Sequence, residues 1–210
     1  GWYFALALKT DGTMWSWGKN DFGQLGINIS TGAYSSPRQI GLLTTWSKIS
    51  ANQNFAYALK TNGSLWSWGL NNGGQLGQNN TYNYSSPKQV GALTTWSTIS
   101  AGSNFGSSVK TDGTLWAWGS NTGGQVGDGG TINRSSPVQV GALTNWSFTS
   151  NGSNYSLAIK TNGTLWSWGD PSSGRLGLGN LTQYSSPKQV GSVTTWNNIF
   201  AGQFTSMALG

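Results

Sequence analysis

The feature that most limits what this chain can fold into is a repeat of fifty residues that runs its whole length. Trp46, Trp96, Trp146 and Trp196 stand at even intervals of 50, and Pro37, Pro87, Pro137 and Pro187 follow the same period, each behind two serines. The segment Trp15 to Gly18, Trp-Ser-Trp-Gly, returns from Trp66, Trp116 and Trp166, with Ala117 for Ser in one copy. Only the first copy differs in length, by one residue between Gly26 and Pro37. A unit of this size cannot bury two faces alone, so it must stack on copies of itself. The expectation is one domain over 1–210, with successive repeats at about 1–45, 46–95, 96–145 and 146–195 and the start of another at 196–210.

Each period reads as four short strands. Trp46 to Ser50 is the first and Phe55 to Lys60 the second, followed by Thr61-Asn62-Gly63-Ser64. An Asn-Gly or Asp-Gly pair between apolar runs is a strong hairpin signal, and it recurs at Asp11-Gly12, Asp112-Gly113 and Asn162-Gly163. The third strand, Leu65 to Gly69, places Trp66 and Trp68 on one face and Leu65 and Ser67 on the other, because alternate residues point the same way. The fourth is expected to start at the proline, as in Pro87-Lys88-Gln89-Val90, since proline in a sheet is confined to edges or first positions. Between third and fourth strands, Gly74-Gln75-Leu76-Gly77 and its copies turn the backbone sharply and pin the leucine inward. The second strand occurs five times and the others four times each, so the chain is expected to begin and end inside a repeat and to belong to a longer protein.

Composition closes several routes. The chain has no Cys and no His, which excludes disulfides, thiolate or imidazole metal sites, a Cys nucleophile and a Ser-His-Asp triad. Thirteen Trp are far too many for a disordered chain. Only 16 residues are charged, 8% against about 25% in ordinary domains, so Ser, Thr, Asn and Gln must solvate the surface. The net charge of +6 owes as much to scarce acid, five Asp and no Glu, as to abundant base. No two Lys or Arg are adjacent, and no specific nucleic-acid binding is expected. The run Tyr3 to Leu8 is too short for a signal core, no stretch approaches a membrane span, and a soluble chain is expected.

The pattern Thr-[Asp/Asn]-Gly-[Thr/Ser]-[Leu/Met]-Trp-Ser-Trp-Gly, then Gly-Gln-Leu-Gly, then Pro-x-x-[Val/Ile], resembles the RCC1-type (regulator of chromosome condensation) repeat over essentially all 210 residues. The resemblance implies an all-β fold, a β-propeller of four-stranded blades with at least four blades present, part of a larger, seven-bladed ring of about 350 residues at this period. The family often carries His in the second strand, where this chain has Phe4, Phe55, Phe105, Tyr155 and Phe204. The family name also implies guanine-nucleotide exchange on a small GTPase and chromatin binding. No exchange residue carries over, because that activity rests on charged loops and a projecting wedge that the repeats here lack.

The twelve repeated tryptophans are read as packing between blades; Trp2, without a counterpart, is the candidate for a private contact. Two basic series recur: Lys9, Lys60, Lys110 and Lys160 before the hairpin, and Arg38, Lys88 and Lys188 after the proline, with Val138 breaking the second. Each forms an arc of like charge that could seat an acidic group, or guards strand ends against edge pairing, the reading favoured. Asp11 and Asp112 are turn residues, replaced by Asn62 and Asn162; Asp21, Asp128 and Asp170 stand alone in loops. No carboxylate pair announces a glycosidase, and the calcium signal at Asp128-Gly129-Gly130 is weak, one charge where such sites use several.

The loops between Gly-Gln-Leu-Gly and Ser-Ser-Pro differ in every copy, and variable loops on a rigid scaffold are where specificity is normally carried. Asn28, Tyr34, Asn80, Tyr82, Asp128, Arg134, Asn180 and Tyr184 are therefore the candidate contacts for a protein or glycan partner, with no catalytic, cofactor or metal residue among them. The functional expectation is a non-catalytic binding or structural module, extracellular, on a cell surface or on a virion, such as an adhesin or fibre component, able to enter a homo-oligomer or larger assembly. The alternative is the exchange-factor and chromatin-binding role of the family name.

Overall fold

The computed structural model describes residue 1 and residues 3–210; Trp2, the candidate for a private contact, lies outside the described residues. The first sheet has three strands, β1 (Phe4–Leu8), β2 (Met14–Lys19) and β3 (Ala33–Gln39). Three complete sheets follow: β4 (Trp46–Asn52), β5 (Phe55–Lys60), β6 (Leu65–Gly69) and β7 (Tyr84–Gln89); then β8 (Ser100–Ala101), β9 (Phe105–Val109), β10 (Leu115–Gly119) and β11 (Arg134–Gln139); then β12 (Trp146–Asn151), β13 (Tyr155–Lys160), β14 (Leu165–Gly169) and β15 (Tyr184–Gln189). A pair, β16 (Asn198–Ala201) and β17 (Ser206–Leu209), ends the series. Every pairing is antiparallel and sequential, and the first strands β4, β8, β12 and β16 touch one another in turn. This is the radial order of a propeller, with the proline-bearing strands on the outer rim.

The hairpins form for a local reason. In the second sheet the Asn62 Oδ1 accepts from both the Ser64 amide and its hydroxyl, at 3.1 and 2.8 Å, and the Ser64 Oγ in turn accepts the Trp66 indole N–H at 2.9 Å. The same relay runs through Asp11, Thr13 and Trp15, through Asp112, Thr114 and Trp116, and through Asn162, Thr164 and Trp166. The motif from the Asx to the first tryptophan is therefore one hydrogen-bonded unit, and either Asp or Asn serves because only an acceptor oxygen is needed.

The faces expected for the third strand are the ones seen, and they mate sheet to sheet. On its trailing face the second sheet presents Phe55, Tyr57, Leu59, Leu65, Leu76 and Val90, against which Trp96 and Trp118 of the third sheet are buried. On its leading face Trp46, Ala56, Ala58 and Trp68 pack on Phe4, Met14, Leu25 and Ile40 of the first. The third and fourth sheets repeat this through Trp146 and Trp168. Polar stitches fix the register. The indole N–H groups of Trp68, Trp118 and Trp168 donate to the carbonyls of Gln24, Gln75 and Gln125 in the preceding sheet, each at 2.9 Å. Near the axis, Ser50, Ser100 and Ser150 accept the amides of Ala101, Asn151 and Ala201 at 2.8–3.0 Å.

The fourth strand differs from expectation. It begins three residues before the proline, at Tyr84, because Tyr84 pairs with Gly69 while Lys88 pairs with Ser67, a bulge in which one residue of β6 faces three of β7. Pro87, with Ser85 and Ser86, lies inside that bulge on the sheet margin, where its missing N–H interrupts no ladder.

The Gly-Gln-Leu-Gly turn is shaped by the neighbouring sheet as much as by its own. Gly77 has φ +68, and a Cβ there would lie 3.1 Å from the Trp118 ring; Gly91 has a similar φ of +61 but nothing within 4 Å. Alanine at either site carries the left-handed penalty of about 1–2 kcal/mol, but only Gly77→Ala also pushes on the sheet interface. Urea denaturation should show a larger loss for Gly77→Ala than for Gly91→Ala; equal losses would mean that the turn does not seat the next sheet.

Candidate functional site

The variable loops are rigid rather than open. In the second sheet the buried Asn71, two residues past the Trp-Ser-Trp-Gly segment, gathers its loop: its side-chain amide donates to the carbonyls of Asn80 and Tyr82 at 2.9 and 3.0 Å, and its Oδ1 accepts the Leu76 amide at 2.9 Å. Asn20 and Asn121 act likewise in their own loops. Asn80 is spent within its loop, on the Gln78 carbonyl and the Tyr84 hydroxyl, and Asn180 closes a turn on Thr182. Asn28, at φ +63, uses its backbone N–H to reach the Ser85 carbonyl of the next sheet at 2.7 Å, and Asn79 does the same to Ser135. The loops thus bridge sheets, and beside exposed polar residues such as Thr81, Asn133 and Thr182 each of the last three carries one large apolar side chain in solvent: Tyr82, Ile132 and Leu181 are 73%, 70% and 71% exposed.

Tyr34, Tyr84 and Tyr184 pair with the second basic series. Arg38, Lys88 and Lys188 lie over their rings at 4.7, 4.4 and 5.3 Å from the centroids. In the third sheet Arg134 stands in place of the tyrosine and Val138 in place of the lysine, a single coordinated exception: Arg134 turns to Asp128, Nε to Oδ2 at 2.5 Å, and Val138 packs on the core. The first series is bound more tightly. Lys60, Lys110 and Lys160 each sit between two indoles, with the ammonium 3.8, 3.6 and 3.7 Å from the centroids of Trp66, Trp116 and Trp166 and 4.8–5.1 Å from Trp46, Trp96 and Trp146. Burial lowers the pKa of all three; cation–π attraction, about 2 kcal/mol when desolvated, offsets that cost. Lys9 is different, exposed and paired with Asp11 at 3.2 Å.

The carboxylates expected to stand alone do not. Asp21 pairs with Lys19 at 2.9 Å, Asp128 with Arg134, and Asp170 with Arg175 at 2.8 Å. The Asp128 carboxylate also accepts from Asn121 and Gly130, so it is fully engaged by the protein. Among the described residues no group of three or more acidic side chains is placed to hold a metal ion. The sequence reading missed the buried Asn anchors, although their signal was present: Asn20, Asn71 and Asn121 share one position, and Pro171 takes it in the fourth sheet, where Arg175 replaces the glutamine and Asp170 supplies its partner.

Donation from the Thr13 hydroxyl and amide lowers the Asp11 carboxyl to about 2, with Lys9 adding to the effect. A depressed carboxylate pKa contributes stability that is complete above its unfolded value of 3.8 and is lost as pH falls through about 2. Asp11→Asn, the residue type of the sister turns, should leave the melting temperature at pH 7 nearly unchanged and flatten its decline between pH 4 and pH 2. An unaltered acid limb would contradict the assignment.

With the geometry in place, the relatives can be named. Two family models, both described as Regulator of chromosome condensation (RCC1) repeat, match this sequence, one over residues 62–108, 112–159 and 162–209 and the other over residues 1–24, 46–75 and 96–125. The chain belongs to the RCC1 repeat family. Human "Probable E3 ubiquitin-protein ligase HERC3" is 37% identical over 79 residues, and the "Protein RCC2 homolog" of Danio rerio 40% over 78. These alignments take in 37% and 36% of this chain but only 8% and 16% of those proteins. Among solved structures, human WBSCR16 superimposes with a TM-score of 0.87 at 20% identity, and Prp20p of Saccharomyces cerevisiae with 0.85 at 23%. Each match covers 98% of this chain and 55% or 53% of the other, and shows the shared RCC1 propeller fold. The expected extracellular, cell-surface or virion setting is corrected by these relatives. Ubiquitin ligases, RCC2 and a protein described with Gsp1p and histones work in the nucleus or cytoplasm.

Proposed function

We propose that this RCC1-type chain binds protein partners through its variable loops and performs no reaction itself. The observation that carries the reading is the exposure of Tyr82, Ile132 and Leu181 at the tips of loops that are otherwise closed on themselves by hydrogen bonds. A large apolar side chain on a preorganised loop loses little entropy on binding and is the usual anchor of an interface. The ligase activity named for the HERC relatives is not transferred, since the aligned segment covers only 8% of such a protein.

The partner class that the relatives favour is a protein of the nucleus or cytoplasm. Prp20p is described by its binding to Gsp1p and histones, and a second structure shows it bound to Kap60. That likeness also supports a narrower reading in which the partner is a small GTPase and binding promotes nucleotide release. The glycan and adhesin readings have no such support.

A biosensor measurement with a Gsp1p-type GTPase and with histones, together with release of labelled GDP, tests both readings. Binding to at least one of these proteins is expected, and replacing Tyr82, Ile132 and Leu181 together by serine should weaken it by at least about tenfold without altering the melting curve. Failure to bind either protein, or binding indifferent to the triple variant, would contradict the proposal; bound GTPase without faster GDP release would remove the exchange reading alone.

A further inference from the structure

A second feature repeats with the blades and is separate from the loop tips. Between the first and second sheets lies a cleft of about 350 Å³, and between the second and third one of about 320 Å³. The two are built from equivalent residues. Trp46 and Trp66 line the first and Trp96 and Trp116 the second; Leu43 or Leu93 stands on one side, Pro87 or Pro137 on the other, and Asn28 or Asn79 at the edge. Leu43 and Leu93 are about half exposed, at 47% and 49%.

Three polar features bear on what these clefts can hold. Lys110 lines the second, its ammonium over the Trp116 ring; Lys60 makes the same contact with Trp66 but does not line the first cleft. Among the described residues neither ammonium is in a direct ion pair: four carboxylates are taken by Lys9, Lys19, Arg134 and Arg175, and Asp112, hydrogen-bonded to Thr114 within its turn, acts on Lys110 only through its field. The indole N–H groups of Trp46 and Trp96 are buried without a hydrogen-bond partner. Those N–H groups are closed to a ligand, so recognition falls to the lysine and the apolar wall, which together favour a ligand that brings negative charge and a small apolar group.

We infer that the inter-blade clefts are a repeated docking array for an extended acidic segment of a partner protein, an apolar side chain entering each cleft and a neighbouring carboxylate meeting Lys110 at the second. The inference rests on the protein-binding reading above and names a second surface for it. Seven of the eleven basic residues, Arg38, Lys48, Lys60, Lys88, Lys110, Lys160 and Lys188, lie outside the ion pairs of the fold, so the charge complementarity favours an acidic partner over a second copy of this +6 chain.

The test uses a fluorescent twelve-residue peptide of alternating Asp and Leu, a matched peptide with Asn for every Asp, and a single-stranded oligonucleotide of equal charge, titrated by polarisation against the full chain. The Asp peptide should bind at least about tenfold more tightly than the Asn peptide and weaken with salt. Leu43→Ser with Leu93→Ser, surface changes that spare the core, should reduce that binding by at least about tenfold, and Lys110→Met, which keeps the aliphatic stem, should reduce the preference for Asp over Asn. The triple serine variant at Tyr82, Ile132 and Leu181 should leave peptide binding unchanged, which separates this surface from the loop tips. Equal binding of both peptides, tighter binding of the oligonucleotide, self-association that competes with the peptide, or loss only in the loop-tip variant would each overturn the cleft assignment.

Discussion

The indole of the third strand, seated on the preceding sheet and donating its N–H to the glutamine carbonyl there, is the contact on which the rest of this structure depends. Burial and hydrogen bonding divide the work. A fully buried Trp removes about 150–250 Å² from water, worth roughly 4–6 kcal/mol at about 25 cal/mol per Å², whereas the N–H to carbonyl bond adds about 1 kcal/mol. Burial therefore supplies the stability and the bond supplies the register. Trp68, Trp118 and Trp168 all make this contact at 2.9 Å, Trp118 sharing its N–H with the Tyr57 hydroxyl, and the glycines of the preceding turn leave room for them.

Low charge follows from the same plan. A sheet that must present one apolar face forward and another backward has only its loops, its rim and its axial edge for polar groups, and here those are filled by Asn, Ser, Thr and Gln that bond within the chain. Most of the few charges are placed against rings or against each other, and the Lys48 ammonium donates to the Ser97 carbonyl at 2.6 Å. Lys60, Lys110 and Lys160 span the two tryptophans of their own sheets and so shield the indole faces at the interface margin. What the surface adds to this is three large apolar side chains at loop tips and a cleft lined by Lys110, whose ammonium is in no direct ion pair.

Much of this was legible in the sequence because its causes are local or periodic. The Asx-Gly turns, the alternation that divides Trp66 from Leu65 and the stacking of fifty-residue units all follow from neighbours a few residues apart or from the repeat itself. The misjudged parts depend on partners farther away. Pro87 marks a sheet margin, but the strand starts at Tyr84 because of a bulge set by Gly69 across the pair. The lysine before each hairpin looks like a free charge until Trp46, on another strand, is brought over it. Arg134 and Val138 read as two separate exceptions, and only their places on one outer strand join them to Asp128. The setting was misjudged for another reason: composition describes solvation, and a surface of uncharged polar residues is compatible with many compartments.

The most direct measurement of the central claim is hydrogen exchange at the indole N–H groups, followed by nuclear magnetic resonance with assigned tryptophan side chains. If the third-strand indoles hold the sheets together, those of Trp68, Trp118 and Trp168 should exchange only as fast as the chain unfolds globally, far more slowly than that of the half-buried Trp17 on the first sheet. Exchange of all four at similar rates, well above the rate set by global unfolding, would show that the sheets open one from another without breaking what is described here as their main tie.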